Sequence, residues 1–195
     1  MGADLTAART NMVDCQVRTQ DVTDYAVIDA MRSVDRESFV PPDKVFLAYA
    51  DTEVECAPGR WLLKPRDIGK LLQGLGPRAG ERALAIASPY GGAVLEAIGL
   101  AVTRFAIAQG DPDAAPQPIE GGYDVVICEG AVAKAPAAWL GALAVGGRLG
   151  VVERDGPVGH AMLYLRSPAG IGSRSLFDST PPFLAGLEPV RAFAL

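Results

Sequence analysis

The chain has 195 residues, enough to bury one sizeable core, and 49% of them are apolar, which excludes a disordered polymer. A net charge of −5 gives no electrostatic case for nucleic-acid binding. No run of about 18 uncharged apolar residues is present, so no membrane-spanning helix is expected.

Taken in chain order, the first sixty or so residues predict helix and then irregular structure. Asp4 or Thr6 is placed to cap a helix through "AARTNMVDCQVR". Asp21, Thr23 or Asp24 can start a second, "DYAVIDAMRSV", in which Val27, Ile28, Met31 and Val34 share one face. "RESFVPPDK" predicts a short extended piece closed by its two prolines, and "FLAYADTEVECAPGRWLLKP" a loop with one short strand. Pro65 opens a helix, "PRDIGKLLQGLG", with Ile68, Leu71 and Leu72 facing the core and Gly74 and Gly76 ending it.

From residue 82 strand and helix alternate. "RALAIA" reads as a buried strand, "GGAVLEAIG" as the helix after it, and "LAVTRFAIA" as a second strand. "YDVVICEG" is a third strand, "PAAWLGAL" a helix stopping before "VGG", and "GRLGVVE" a fourth strand. Such alternation predicts a doubly wound α/β sheet. "QGDPDAAPQPIEGG", residues 109–122, holds three prolines and three glycines, so the crossover it must make cannot be a regular helix. One crossover is therefore expected to be shortened to a loop. "HAMLYLRS" and "GSRSLFDS" predict an edge hairpin, and "TPPFLAGLEPVRAFAL" a loop and last strand across the sheet. No repeat or linker divides the chain, which predicts one domain: a helical N-terminal region over 1–64 and an α/β core over 65–195.

The chemistry-bearing residues are few. Cys15, Cys56 and Cys128 stand far apart in no metal-ligand spacing, so no metal site is expected. With an N-terminus lacking an apolar signal core, they point to a reduced, cytoplasmic setting. Cys128 reads as a small buried hydrophobe and His160, after Gly159, as a solvent-facing residue.

"ARTNMVDCQVR" and "DVTDYAVIDAMRSVDRESFVP", followed by "GRWLLKP", "YDVVICEGAV", "LAVGGRLGVVE" and "YLRSPAGIGSRSLFDSTPPFLAGL", cover most of the chain. Their wording and order resemble the protein-L-isoaspartate O-methyltransferases, closest to the branch common in alphaproteobacteria. The resemblance implies a Rossmann-like S-adenosylmethionine methyltransferase sandwich: a mostly parallel sheet with an antiparallel edge hairpin. It implies an ancestral activity, methyl transfer from S-adenosylmethionine to the α-carboxylate of an isoaspartyl residue.

The family's first motif runs apolar-Leu-Asp/Glu-apolar-Gly-x-Gly-x-Gly. Laid on this chain, Leu84 and Ile86 keep the strand, Ala85 takes the acidic position, and Ala87, Pro89 and Gly91 take the three glycine positions. Gly91 and Gly92 are then expected to form a strand-to-helix turn. The family's ribose-gripping acid has two possible places. If "LAVTRF" is the second strand, Arg104 and Phe105 stand there; if that strand was deleted, Asp111 lies near the adenine edge.

Whatever cofactor contact survives would come from Ser88, Gly91, Gly92, Asp111 and Glu129. Glu129, at the carboxyl end of "DVVICEG", is the best polar candidate, whereas Asp124 sets the turn before its strand. On the substrate side, Leu63 stands where the family commonly has a hydroxyl, and Trp61 and Lys64 could line a groove beside it. The expectation is a homologue with a degraded cofactor motif, weak or absent S-adenosylmethionine binding, and a scaffold kept without catalysis for a protein partner. The alternative is a working methyltransferase with a rearranged pocket. A third reading gives the altered pocket to another small ligand.

Overall fold

A computed structural model of the chain describes residues 4–107 and 120–189. Helix α1 (Leu5–Met12) starts at Asp4, whose carboxylate accepts the Ala7 N–H. It widens into a π-helical turn over Val13–Val17 and tightens over Arg18–Gln20 before Asp21 turns the chain with φ +64°. Helix α2 (Tyr25–Ser33) is capped by Asp24, which accepts from the Ala26 and Val27 N–H groups. Val27, Ile28 and Met31 are buried on one face, as their spacing predicts, and Ala30 joins them.

The extended reading of "RESFVPPDK" is corrected. Arg36–Phe39 and Pro42–Leu47 are 3-10 turns, and only Val40 and Pro41 between them are extended. The prolines restrict the residue before each of them, while Pro42 itself fits a first helical turn, where no N–H is needed. The next segment holds two short strands where one is expected: β1 (Val54–Ala57) and β2 (Arg60–Leu62) pair as an antiparallel ribbon. Gly59, at φ +67°, supplies the left-handed residue of the turn between them.

The main sheet has six strands: β3 (Arg82–Ile86), β4 (Ala101–Phe105), β5 (Tyr123–Val132), β6 (Leu143–Arg154), β7 (Gly159–Ser167) and β8 (Gly170–Asp178). Their order is β4-β3-β5-β6-β7-β8. The first four run parallel and the last two antiparallel. The hairpin turns at Pro168 and Ala169, as expected. Over residues 180–189 the tail makes a single parallel bridge, Phe183 to Ala131, and the rest of the expected last strand, residues 190–195, lies outside the described residues. Strand β6 begins earlier than "GRLGVVE" suggests, because register slips between Tyr123 and Val125 and absorbs the "VGG" residues inside the strand.

Because β4 pairs with β3 residue for residue, from Arg82–Ala101 to Ile86–Phe105, "LAVTRF" is the second strand of the core and sits at the sheet edge. The chain from β4 to β5 must pass β3. Residues 108–119 of that connection, and Asp111 with them, lie outside the described residues.

Helices α3 (Pro65–Leu75) and α4 (Pro89–Ile98), with α1 and α2, cover one face of the sheet. The period of two sorts the strand residues: Ala83, Ala85, Val125 and Ile127 face these helices. Leu84, Ile86, Val126 and Cys128 face the other core, with Trp139 of α5 (Ala137–Gly141). Arg148 ties the layers together, donating to the Leu75 and Gly76 carbonyls and to Glu81. Asp124 accepts the Arg82 N–H and so clamps β5 to β3 rather than setting a turn. Among the described residues, no helix is long and apolar enough to cross a membrane.

Candidate functional site

A cavity of about 280 Å3 opens at the carboxyl ends of β3 and β4. One side is the β3–α4 turn, with Ala85, Ala87, Ser88 and Pro89. Arg104, Phe105 and Ala106 form a second side, and Phe39, Cys56, Ala57 and Arg60 close it from the N-terminal region. Open α/β sheets place ligands at this edge.

The turn keeps a glycine-type shape without the glycine. Ala87 has φ +45°, and its N–H donates to the Phe105 carbonyl at 2.9 Å. A non-glycine residue in that left-handed region costs about 1–2 kcal/mol. Its methyl group lines the cavity. Pro89 occupies the first position of α4 and offers no N–H to a ligand.

Glycines 91 and 92 serve packing. A Cβ at Gly92 would stand 2.9 Å from the Ala85 Cβ, and one at Gly91 would stand 2.4 Å from the Ser88 hydroxyl. The close approach of α4 to β3 therefore needs a small residue on both sides, Gly92 on the helix and Ala85 on the strand.

Glu129 is fully buried. It accepts from the Ser88 hydroxyl at 2.9 Å, the Gly91 N–H at 3.0 Å and the Leu63 N–H at 3.3 Å. The carboxylate thus pins the end of β5 to the start of α4 and to the chain leaving β2. It is not part of the cavity lining. Burial pushes its carboxyl up, while the Arg36 charge and the three donors pull it back.

Arg36 is equally buried, donating to the Ala48 and Leu63 carbonyls at 2.8 and 2.6 Å, with its guanidinium 4.6 Å from the Tyr90 ring centre. Among the described residues, Arg36 Nη1 and the Tyr90 hydroxyl find no partner. Nothing in the sequence marks Arg36 as a core residue, since it lies between Asp35 and Glu37 and reads as a surface charge.

The remaining candidates do not converge. Leu63 is fully buried, Trp61 is half-buried on β2, and Lys64 lies 3.6 Å from Glu53. None of the three lines the cavity. Cys128 is buried, and burial raises its thiol far above the usual range. His160 is exposed, with Nδ1 2.8 Å from Asp178.

Arg60 and Arg104 are the only charged side chains among the described lining residues. Arg104 is held as a fork by both carboxylate oxygens of Glu96 on α4. Arg60 donates to the Ile107 carbonyl at 2.6 Å. Arg60 lies within "GRWLLKP", yet nothing local marks it as a cavity residue, and only the fold brings it to the sheet edge.

No family model matches the chain. Over 93% of its length it is 30% identical to the protein-L-isoaspartate O-methyltransferase of Methylorubrum populi, and the match spans 97% of that protein. The enzyme of the same name from Methylorubrum extorquens is 37% identical over 53% of this chain and 46% of its own. Among solved structures, the Plasmodium falciparum protein-L-isoaspartate O-methyltransferase in complex with S-adenosyl-L-homocysteine superposes with a TM-score of 0.72 at 16% identity, covering 91% of this chain and 98% of that one. Another protein-L-isoaspartate O-methyltransferase structure gives 0.67 at 16% identity over 92% and 67%. These structures share the fold, and the 30% identity along nearly all of both chains carries the relationship: this chain belongs to the protein-L-isoaspartate O-methyltransferase family.

Proposed function

We propose that this chain is a non-catalytic member of its family, which keeps the methyltransferase scaffold and no longer grips S-adenosylmethionine. One observation carries the reading. The described lining of the cavity at the end of β3 and β4 contains two arginines and no carboxylate. A ribose diol donates hydrogen bonds to a carboxylate, and a guanidinium has donors only. Arg104 stands on β4 where the sugar-gripping acid is expected, and Ala85 replaces the acid on β3.

Hydrogen bonds to charged groups contribute roughly 1.5–3 kcal/mol each. Two missing ones weaken binding by about 10²–10⁴-fold. The Ala87 methyl and the Pro89 ring add bulk where the family has bare backbone.

The substrate side supports the same reading. Methyl transfer to a carboxylate needs the reactants held close and stripped of water. Leu63, in the place of a positioning hydroxyl, is turned into the core. The scaffold is then left with a binding role towards another protein, through the N-terminal region where Tyr25 and Phe46 are both 78% exposed. The free thiols of Cys15, Cys56 and Cys128 support a reduced, cytoplasmic setting.

A second reading, a working S-adenosylmethionine-dependent enzyme with a rearranged pocket, draws on the left-handed Ala87, which keeps the turn's shape, and on the open cavity above it. Calorimetric titration with S-adenosylmethionine separates the two. The non-catalytic reading expects no saturable heat at micromolar cofactor. A dissociation constant of micromolar order would overturn it and leave the second reading standing.

A further inference from the structure

We propose that the cavity at the carboxyl ends of β3 and β4 binds a small anionic ligand, a flat apolar body carrying one phosphate or carboxylate group, with Arg60 receiving the charge. The inference rests on the reading that this cavity has lost S-adenosylmethionine, and it names the ligand class that the altered lining suits.

The walls are mostly apolar, with Phe39, Ala57, Ala87, Pro89 and Phe105 among them. Their burial against a flat body contributes about 25 cal/mol per Å2. The volume, about 280 Å3, falls just below the roughly 300–1,000 Å3 of sites for drug-sized ligands. It suits one ring and a head group better than a nucleoside with an amino-acid chain.

The two arginines are not equivalent. Arg104 is already matched by Glu96. Arg60 spends one nitrogen on the Ile107 carbonyl and has no carboxylate within ion-pair distance among the described residues. A half-buried guanidinium beside apolar walls retains donors in a planar fork, and that fork matches carboxylate or phosphate oxygens two at a time. The low dielectric of such a site strengthens the attraction. Cys56, on the same wall, supplies no competing negative charge: burial, with the nearby Glu129 charge, pushes its thiol up to about 11.

The test is calorimetric titration of the full chain with phenyl phosphate, with benzyl alcohol as the uncharged control and S-adenosyl-L-homocysteine in a parallel series. Phenyl phosphate is expected to saturate one site. Arg60→Gln should weaken it by about tenfold or more while the chain stays folded, with at most a modest fall in the unfolding midpoint from the lost Ile107 contact. Benzyl alcohol should give no saturable heat, and Arg18→Gln, on the exposed turn after α1, should bind phenyl phosphate as the parent does. Binding that survives Arg60→Gln, equal binding of benzyl alcohol, or silence from phenyl phosphate up to millimolar concentration overturns the assignment. Silence from both phenyl phosphate and S-adenosyl-L-homocysteine removes the anion site and leaves the loss of the cofactor site standing. Micromolar binding of S-adenosyl-L-homocysteine overturns that loss, and this inference with it.

Discussion

Ala87 is the residue on which the site turns. It holds φ +45°, and only its neighbours' hydrogen bonds and packing keep it there. Glycine at this position relieves about 1–2 kcal/mol of strain and loosens the unfolded chain by about 0.4–1 kcal/mol. Ala87→Gly should therefore raise stability by up to about 1.6 kcal/mol, a gain of roughly 3–6 °C at most in scanning calorimetry.

Glu129 behaves oppositely. In Glu129→Gln, one side-chain position that now accepts becomes a donor facing other donors, and Arg36 loses a nearby negative charge in a fully buried setting. Urea unfolding should show a loss of roughly 3 kcal/mol. Burial raises the Glu129 carboxyl above its unfolded value, so folding favours its protonated form. That contribution is complete below the ordinary carboxylate range and is lost as pH rises through the raised value.

Much of this scale was hidden in the sequence. "DVVICEG" marks Glu129 as the polar residue at the right strand end, but only the fold shows its protein donors, Ser88, Gly91 and Leu63. Arg36 and Arg60 could not be found, because their settings come from contacts distant in sequence: Arg36 with Leu63, and Arg60 with Ile107.

Elements were more legible, and for local reasons. Helices α1 and α2 begin at Asp4 and Asp24 because an aspartate just before an amphipathic run satisfies the first free N–H groups. The strands of the core read as apolar runs, and the β7–β8 hairpin as two runs around a short turn. The segments that misled are those in which tertiary contact outweighs local preference: the two 3-10 turns around Val40 and Pro41, and β2, whose three residues pair with β1.

Contact between α4 and β3 has a sharp requirement. Gly92→Ala brings a Cβ to 2.9 Å from the Ala85 Cβ, with no flexible side chain to yield. It should cost about 1–3 kcal/mol in chemical denaturation. The clamp between α3 and the sheet gives an element-scale pH effect. Burial raises the Glu81 carboxyl, but the Arg148 hydrogen bonds, the Arg78 N–H and the Arg148 charge outweigh it and hold it below the ordinary value. The stability it contributes is present above the unfolded carboxylate value and is lost as pH falls through the lowered one. Glu81→Gln should flatten the acid limb of a stability–pH profile followed by circular dichroism.

For the molecule as a whole, the proposed function separates fold from site. Apolar runs made the strand–helix alternation and the edge hairpin readable from sequence, whereas the sheet order came only with the fold. The site depends instead on a few positions at the ends of β3 and β4, where Ala85, Ala87, Pro89 and Arg104 stand. Small side chains at Ala85 and Ala87 are accommodated at the edge of the two cores, so these positions keep the strand and the turn while altering the cavity lining. A chain can thus hold its architecture while its ligand changes.

The most direct measurement is electron density from crystals of the full chain soaked in millimolar S-adenosyl-L-homocysteine. The account predicts no nucleoside over the β3–α4 turn. A nucleoside seated against Ala87 with its sugar hydroxyls held by protein acceptors would contradict it.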